Sequence, residues 1–220
     1  MEAAAQQRPT LRKDAERNRR RLLEAAREVF EEQGIEAPLE EIARRADVGI
    51  ATLYRRFPTR SSLIEALFED KAREYARVSK LALEHDDAWE GLAGFIRRIC
   101  EMQAEDRGFC GVLQATFPSA PELQVYMGQA RRNTEKLAAR ARREGKVRAD
   151  FAATDVFWIL VANGSYLEAT RDIAPRGWRR YLALILDSIR VQDAAKLPPP
   201  PTGKQVGRAV ERIGRRAAGE

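Results

Sequence analysis

Histidine and cysteine are scarce in this chain of 220 residues: there is one histidine, His85, and there are two cysteines, Cys100 and Cys110. Two thiols are too few for a disulfide framework, and one imidazole with two scattered thiols does not make a zinc site. Small buried cysteines are commoner than redox switches, so packing is their expected role. Long hydrophobic runs are missing as well. The longest, Val156 to Ala162, falls far short of the roughly 20 residues that a membrane-spanning helix needs, and no membrane partner is expected. The first thirty residues hold no secretion-type apolar stretch, so the expected location is cytoplasmic and Asn163-Gly164-Ser165 is a chance match to a glycosylation acceptor. No Gly-rich phosphate loop, metal-ligand cluster or paired nucleophile and base occurs, which argues against a cofactor and against an enzyme. Sustained two-residue alternation and repeats with a period of roughly 20 to 50 residues are also absent, which argues against sheets and solenoids.

What is present is charge on a helical pattern. Charged residues make up 33% and hydrophobic ones 44%, with only 14 Gly and 10 Pro, the balance of a packed, helix-rich protein. Lys and Arg number 39 against 33 Asp and Glu, for a net charge of +6 and a pI near 9.6. That excess permits a polyanionic partner without demanding one. Residues 1–62 carry 13 basic and 11 acidic side chains, so only clustering there makes a positive surface. Two clusters stand out: Arg12, Lys13, Arg17, Arg19, Arg20 and Arg21, then Arg55, Arg56 and Arg60.

Leu22, Ala26, Val29 and Phe30 recur at helical spacing and predict a helix from Asp14 to Gln33, with Gly34 as its stop. Pro38, at a first helical position, opens a short second stripe of Leu39, Ile42, Ala43 and Ala46, and Glu40 and Glu41 suit the positive end of its dipole. Asp47-Val48-Gly49 breaks it, and Ile50, Leu53 and Phe57 mark a third helix up to Pro58. A long connector follows, capped by Thr59 or Ser62, with Ser62 and Glu65 at capping-box spacing and Leu63, Leu67, Tyr75, Val78 and Leu81 as its apolar face down to His85. Later starts are marked by Asp87 with Glu90, by Ser119 with Glu122 and by Thr154; stops are marked by Gly108, Gly145 and Pro175 to Gly177. The expected class is therefore all-α. Residues 1–62 form a three-helix helix-turn-helix head with a flexible basic N-terminal arm, 63–192 a larger helical body, and 193–220 a Pro-rich, basic tail read as a solvated extension.

A short helix, a three-residue break and a second short helix with basic and hydroxyl side chains on one face is the layout of a helix-turn-helix, whose second helix enters the major groove. Ile42, Ala43, Ala46, Val48, Leu53 and Phe57 have the spacing to pack inward, which leaves Thr52, Tyr54, Arg55 and Arg56 for the outer surface. A guanidinium there forks onto guanine or pairs with phosphate, threonine bonds a base or touches a thymine methyl, and tyrosine donates to a phosphate oxygen. Arg19, Arg20 and Arg21, ahead of Leu22, are further phosphate candidates.

The run from Leu39 to Phe57, LEEIARRADVGIATLYRRF, followed by Arg60 and Leu63, closely resembles the DNA-binding head of the TetR family, over roughly residues 15 to 68. The resemblance implies a homodimeric, ligand-responsive transcriptional regulator, usually a repressor, which binds double-stranded operator DNA and is released by a small-molecule effector. By that resemblance Thr52 and Tyr54 match recognition-helix contacts, Arg60 falls where a phosphate-binding lysine is usual, and Ile50, Ala51 and Arg55 occupy variable base-reading positions. The chain departs from the pattern at Pro38, where threonine is common, at Asp47, where glycine is usual, and at Gly49, where serine often caps the helix. The exposed N–H groups at Gly49 and Ile50 remain candidates for a phosphate.

Large apolar residues between 87 and 170 suffice to line a cavity. Phe95, Met102, Phe109, Leu113, Phe117, Tyr126 and Trp158 are the candidate walls, and Gln114, Asn163 and Tyr166 the candidate polar groups. Asp106 to Gly111 reads as a deliberate helix break. Trp178, Leu182, Ile185 and Ile189 repeat as a heptad-like seam, and Gly164 on the preceding helix allows close approach, which together predict a four-helix dimer interface. The rival readings are a sequence-tolerant architectural DNA-binding protein using the basic arm and tail and, with less support, a small helical enzyme.

Overall fold

A computed structural model describes residues 3–34, 36–106, 121–190 and 196–209, with side chains from Glu16 onward except Glu31. Among the described residues there is no strand, and no helix is long and apolar enough to cross a membrane. Helix α1 spans Ala3–Gln33, α2 Leu39–Arg45, α3 Ile50–Arg56, α4 Arg60–Glu84 and α5 Ala88–Glu105. Then come α6 at Pro121–Arg143, α7 at Ala153–Thr170 and α8 at Gly177–Arg190, and residues 203–209 add a last short helix.

Helix α1 buries Leu22, Ala25, Ala26, Val29 and Phe30 along one stripe and ends at Gly34, whose φ of 83° lies in the left-handed region that glycine enters without strain. Its backbone reaches back to Ala3, beyond the Asp14 start that the stripe predicts, so the leading basic segment is helical. Pro38 serves as the N-cap of α2, with φ −58° and ψ 134°, one position earlier than expected. Its missing N–H is harmless at either position. Arg45 holds α2 on α1 through Glu32 at 2.7 Å and pairs within α2 with Glu41 at 3.3 Å.

Helix α4 carries the chain from head to body. Thr59 caps it: its hydroxyl accepts the Ser62 N–H at 3.1 Å, and the Ser62 hydroxyl accepts the Thr59 N–H at 3.2 Å. This box displaces the Ser62–Glu65 spacing read from sequence. Leu63, Ile64, Leu67, Phe68, Ala72, Tyr75, Ala76, Ser79 and Ala82 form the buried face, whereas Leu81, expected on it, is exposed. In the body α4 lies along α6 and α5, α5 also packs on α7, and α7 on α8. Gly91 lets α5 approach the end of α4, where a Cβ would stand 2.5 Å from the Ala82 carbonyl oxygen. Asn133 Nδ2 donates to Ser79 Oγ at 2.9 Å inside the α4–α6 contact. Arg140 of α6 donates to the carbonyls of Leu83, His85 and Asp86, the orphan acceptors at the end of α4 and just beyond it.

The remaining helix ends follow local chemistry. Asp87 Oδ1 accepts the N–H groups of Trp89 at 2.8 Å and Glu90 at 2.9 Å, and these bonds, with Lys146, lower its carboxyl pKa. Helix α7 starts at Ala153 rather than at a Thr154 cap, with Asp155 Oδ2 accepting the Ala152 N–H at 2.7 Å. Gly145, at φ 63°, closes α6. Ser119 and Gly108 lie outside the described residues, and so does Cys110; Cys100 is buried.

Asp150 fastens the segment that follows α8. Arg148 and the Leu197 N–H, 2.8 Å from Oδ2, hold its carboxyl down at about 2. Because the folded value is depressed, this contact holds at neutral pH, weakens as pH falls below the ordinary carboxylate range and is lost through about 2. Asp150→Ala, which removes the acceptor, is therefore expected to release the segment at neutral pH, seen as faster tryptic cleavage at Lys196 and Lys204. Unchanged cleavage would show that the bond does not hold it.

Candidate nucleic-acid interface

Helix α3 is anchored from beneath and bare above. Leu53 and the C-cap Phe57 are buried in the head, while Ile50, Ala51, Tyr54, Arg55 and Arg56 are exposed and Thr52 is half-buried. Gly49 caps α3 without a side-chain bond, through backbone contacts of its carbonyl with the N–H groups of Thr52 at 2.8 Å and Leu53 at 3.2 Å. The turn before it depends on Asp47, whose φ of 50° explains why glycine suits that position; aspartate is among the few other residues that adopt it readily. Val48 N–H to Ala43 carbonyl, at 3.0 Å, closes the end of α2 against this turn.

The arginines around α3 are not equivalent. Arg55 Nη2 lies 3.4 Å from Thr52 Oγ1, so a hydroxyl and a guanidinium share one outward face. Arg21 Nη2 pairs with Asp47 Oδ2 at 3.0 Å and Arg56 Nη2 with Glu16 Oε2 at 3.7 Å. Arg60, read as a phosphate contact, donates to the Ala37 carbonyl at 2.7 Å and lies 3.8 Å from Glu36 Oε2. It thus fastens α4 to the segment before α2 as well as facing outward in part. Arg20 is exposed and Arg19 half-buried near the same end of α1. Sequence reasoning missed the three acids beside these arginines. Asp47 stood out only as a departure from glycine, and Glu16 and Glu36 show only in the near balance of 13 basic and 11 acidic residues in the head.

The residues expected around an effector are spread over several helix contacts. Phe95 is 1% exposed and stacks on Tyr75 of α4 with ring centroids 5.7 Å apart, and Met102 is equally buried. Tyr126 is half-buried and its hydroxyl accepts from Arg73 Nε on α4 at 3.4 Å. Tyr166 stacks on Tyr181 of α8 at 5.5 Å, against Gly177. Trp158 is half-buried, meets Phe157 edge-on at 5.1 Å and has no acceptor for its buried indole N–H among the described residues. Asn163 donates to Gln103 Oε1 at 2.9 Å, Gln103 donates to the Leu160 carbonyl at 3.0 Å, and Asn163 Oδ1 is buried with no partner among the described residues. Gln103 was not singled out from sequence, since nothing in a helical stripe distinguishes a buried amide from an exposed one. Phe109, Leu113, Gln114 and Phe117 lie outside the described residues.

The expected dimer seam needs correction. Trp178, Leu182 and Ile189 are each at most 5% exposed, Gly164 is buried in α7 and Ile185 is half-buried. The stripe therefore packs into its own chain, which is what an amphipathic helix does first with its apolar face. The outward side of α8 presents Leu184 at 61% exposure instead.

At the end of α5, Arg27 of α1 reaches Asp106, with Nη1 3.3 Å from Oδ2. Asp106 is 3% exposed and its Oδ1 has no hydrogen-bond partner among the described residues, so a guanidinium from the head faces a buried carboxylate of the body.

Residues 22–67 match the N-terminal domain described as bacterial regulatory proteins, tetR family, and residues 87–191 match the C-terminal domain of SbtR-like transcriptional regulators. The HTH-type transcriptional repressor LfrR of Mycolicibacterium smegmatis is 33% identical over 165 residues, which cover 73% of this chain and 83% of that protein. The crystal structure of the TetR transcriptional regulator SCO0520 from Streptomyces coelicolor is 32% identical, with a TM-score of 0.50, over 80% of this chain and 99% of the other. FadR of Bacillus subtilis, a transcriptional regulator crystallised with stearoyl-CoA, is 18% identical with a TM-score of 0.58, over 77% and 98% of the two chains, and shares the fold.

Proposed function

The chain belongs to the TetR family and is a DNA-binding transcriptional regulator, and from that premise we propose that it is a repressor that reads a palindromic operator as a homodimer and leaves it when a small molecule binds the body. Residues 1–62 are then the DNA-binding unit, 63–192 the sensing and dimerising unit, and 193–220 an appended tail. The observation that carries the reading is α3, anchored by Leu53 and Phe57 with Ile50, Tyr54 and Arg55 left in solvent. Thr52 and Arg55 read bases, with Gly49, Ile50 and Ala51 at the groove. Tyr54, Arg19, Arg20, Arg21, Arg56 and Arg60 meet phosphates.

The dimer face proposed here differs from the sequence-derived seam. Leu184 on α8 and the half-buried Phe157 and Val161 on α7 make an apolar outer strip, and Ser165, one turn beyond Val161, is small enough for close helix approach. The effector proposed is an apolar molecule with one hydrogen-bond donor. The interior of the body is apolar, and Asn163 Oδ1 offers a buried acceptor that has no partner among the described residues.

Operator selection from random duplex with the purified chain, alongside sedimentation, tests the proposal. The expected result is a dimer and two symmetric half-sites with centres about 34–36 Å apart. A monomer, or equal affinity for all duplexes, overturns it, and equal affinity restores the architectural reading.

A further inference from the structure

Three of the arginines proposed to meet phosphate each have a carboxylate beside them, and the three acids come from three different places. Asp47 in the turn lies 3.0 Å from Arg21, Glu16 on α1 lies 3.7 Å from Arg56, and Glu36 ahead of α2 lies 3.8 Å from Arg60. All six side chains are partly in solvent, and such pairs contribute little to stability. The fold does not need an acid at position 47: the side chain is 92% exposed, and the left-handed backbone there is open equally to glycine or asparagine. Arg55 is placed differently, with the Thr52 hydroxyl next to its guanidinium.

This arrangement acts unequally on the two parts of DNA binding. The sequence-independent part comes from arginines that neutralise phosphates and release condensed counterions. An arginine that must leave a carboxylate to do so gains less, because it leaves that acid uncompensated beside a polyanion. Base reading by Thr52 and Arg55 carries no such cost. We propose, building on the DNA-contact surface above, that Asp47, Glu16 and Glu36 limit DNA affinity: they compete with phosphate for Arg21, Arg56 and Arg60, and so hold down the sequence-independent part of binding on operator and arbitrary DNA alike, leaving a larger share of operator binding to base reading by Thr52 and Arg55.

Full-length variants Asp47→Asn, Glu16→Gln, Glu36→Gln and their triple combination are titrated against a random duplex and the selected operator at several salt concentrations, with fluorescence anisotropy as the readout. Asparagine keeps the turn conformation, and a thermal melt of each variant verifies the fold. The triple variant is expected to bind random duplex and operator alike about three- to tenfold more tightly, with a steeper salt dependence on both. Two controls separate pairing from bulk charge. Glu24→Gln removes an exposed acid of α1 that pairs with none of the three arginines, and is expected to change little. In an Arg21→Gln background, the gain from Asp47→Asn is expected to vanish.

An equal gain from Glu24→Gln overturns the inference, as does a gain from Asp47→Asn that survives without Arg21. Unaltered random-duplex binding in the triple variant overturns it too. A wild-type chain that binds no duplex overturns instead the surface reading on which the inference stands, and the two failures are told apart in the first titration.

Discussion

Arg55→Ala is expected to leave the fold and dimer intact while weakening operator binding about 10- to 100-fold, the equivalent of roughly 1–3 kcal/mol for a lost bidentate base contact. The side chain is exposed, with its guanidinium beside Thr52 Oγ1, so truncation removes no packing. Random duplex is expected to lose much less, and the lost preference should concentrate at particular base pairs when single-base operator variants are titrated. Equal losses on every sequence would reassign Arg55 to phosphate. Arg60→Ala makes an instructive contrast. It is expected to weaken all duplexes alike and, by removing the bond to the Ala37 carbonyl, to lower the melting temperature as well.

The second large effect concerns stability. Phe95→Ala is expected to cost about 3–5 kcal/mol in chemical denaturation, the range for deleting a buried phenyl ring. The ring is 1% exposed and stacked on Tyr75, itself buried, so truncation leaves a void between α4 and α5. This outcome separates core from effector wall. A loss under about 1 kcal/mol, with a changed effector response, would show that the ring faces a cavity that solvent or ligand can fill.

The head was the most legible part of the sequence because its signals are local. Gly34, the Leu39 to Ala46 stripe and the Asp47-Val48-Gly49 break each fix backbone conformation within a few residues, and α2 and α3 fall where these signals put them. Asp87 was equally plain, since a capping carboxylate acts on N–H groups two and three residues ahead. Thr59 and Ser62 were ambiguous because both residues have the chemistry, and only the geometry of the turn gives the cap to Thr59. The seam on α8 was misread for a deeper reason: periodicity states that a helix has an apolar face, not whether its own chain or a second copy covers it. The same limit applied to Arg60 and Tyr166, whose partners Ala37 and Tyr181 lie 23 and 15 residues away along the chain, beyond any local pattern.

The clamp that Arg140 places on the carbonyls at the end of α4 has a mechanical consequence. That helix has 25 residues and bears the head at its other end. With its far end held, it works as a lever about 37 Å long, and a tilt of only ~10° about the clamp swings the head by about 6 Å. A shift that small inside the body would suffice to carry a pair of such heads out of step with successive grooves.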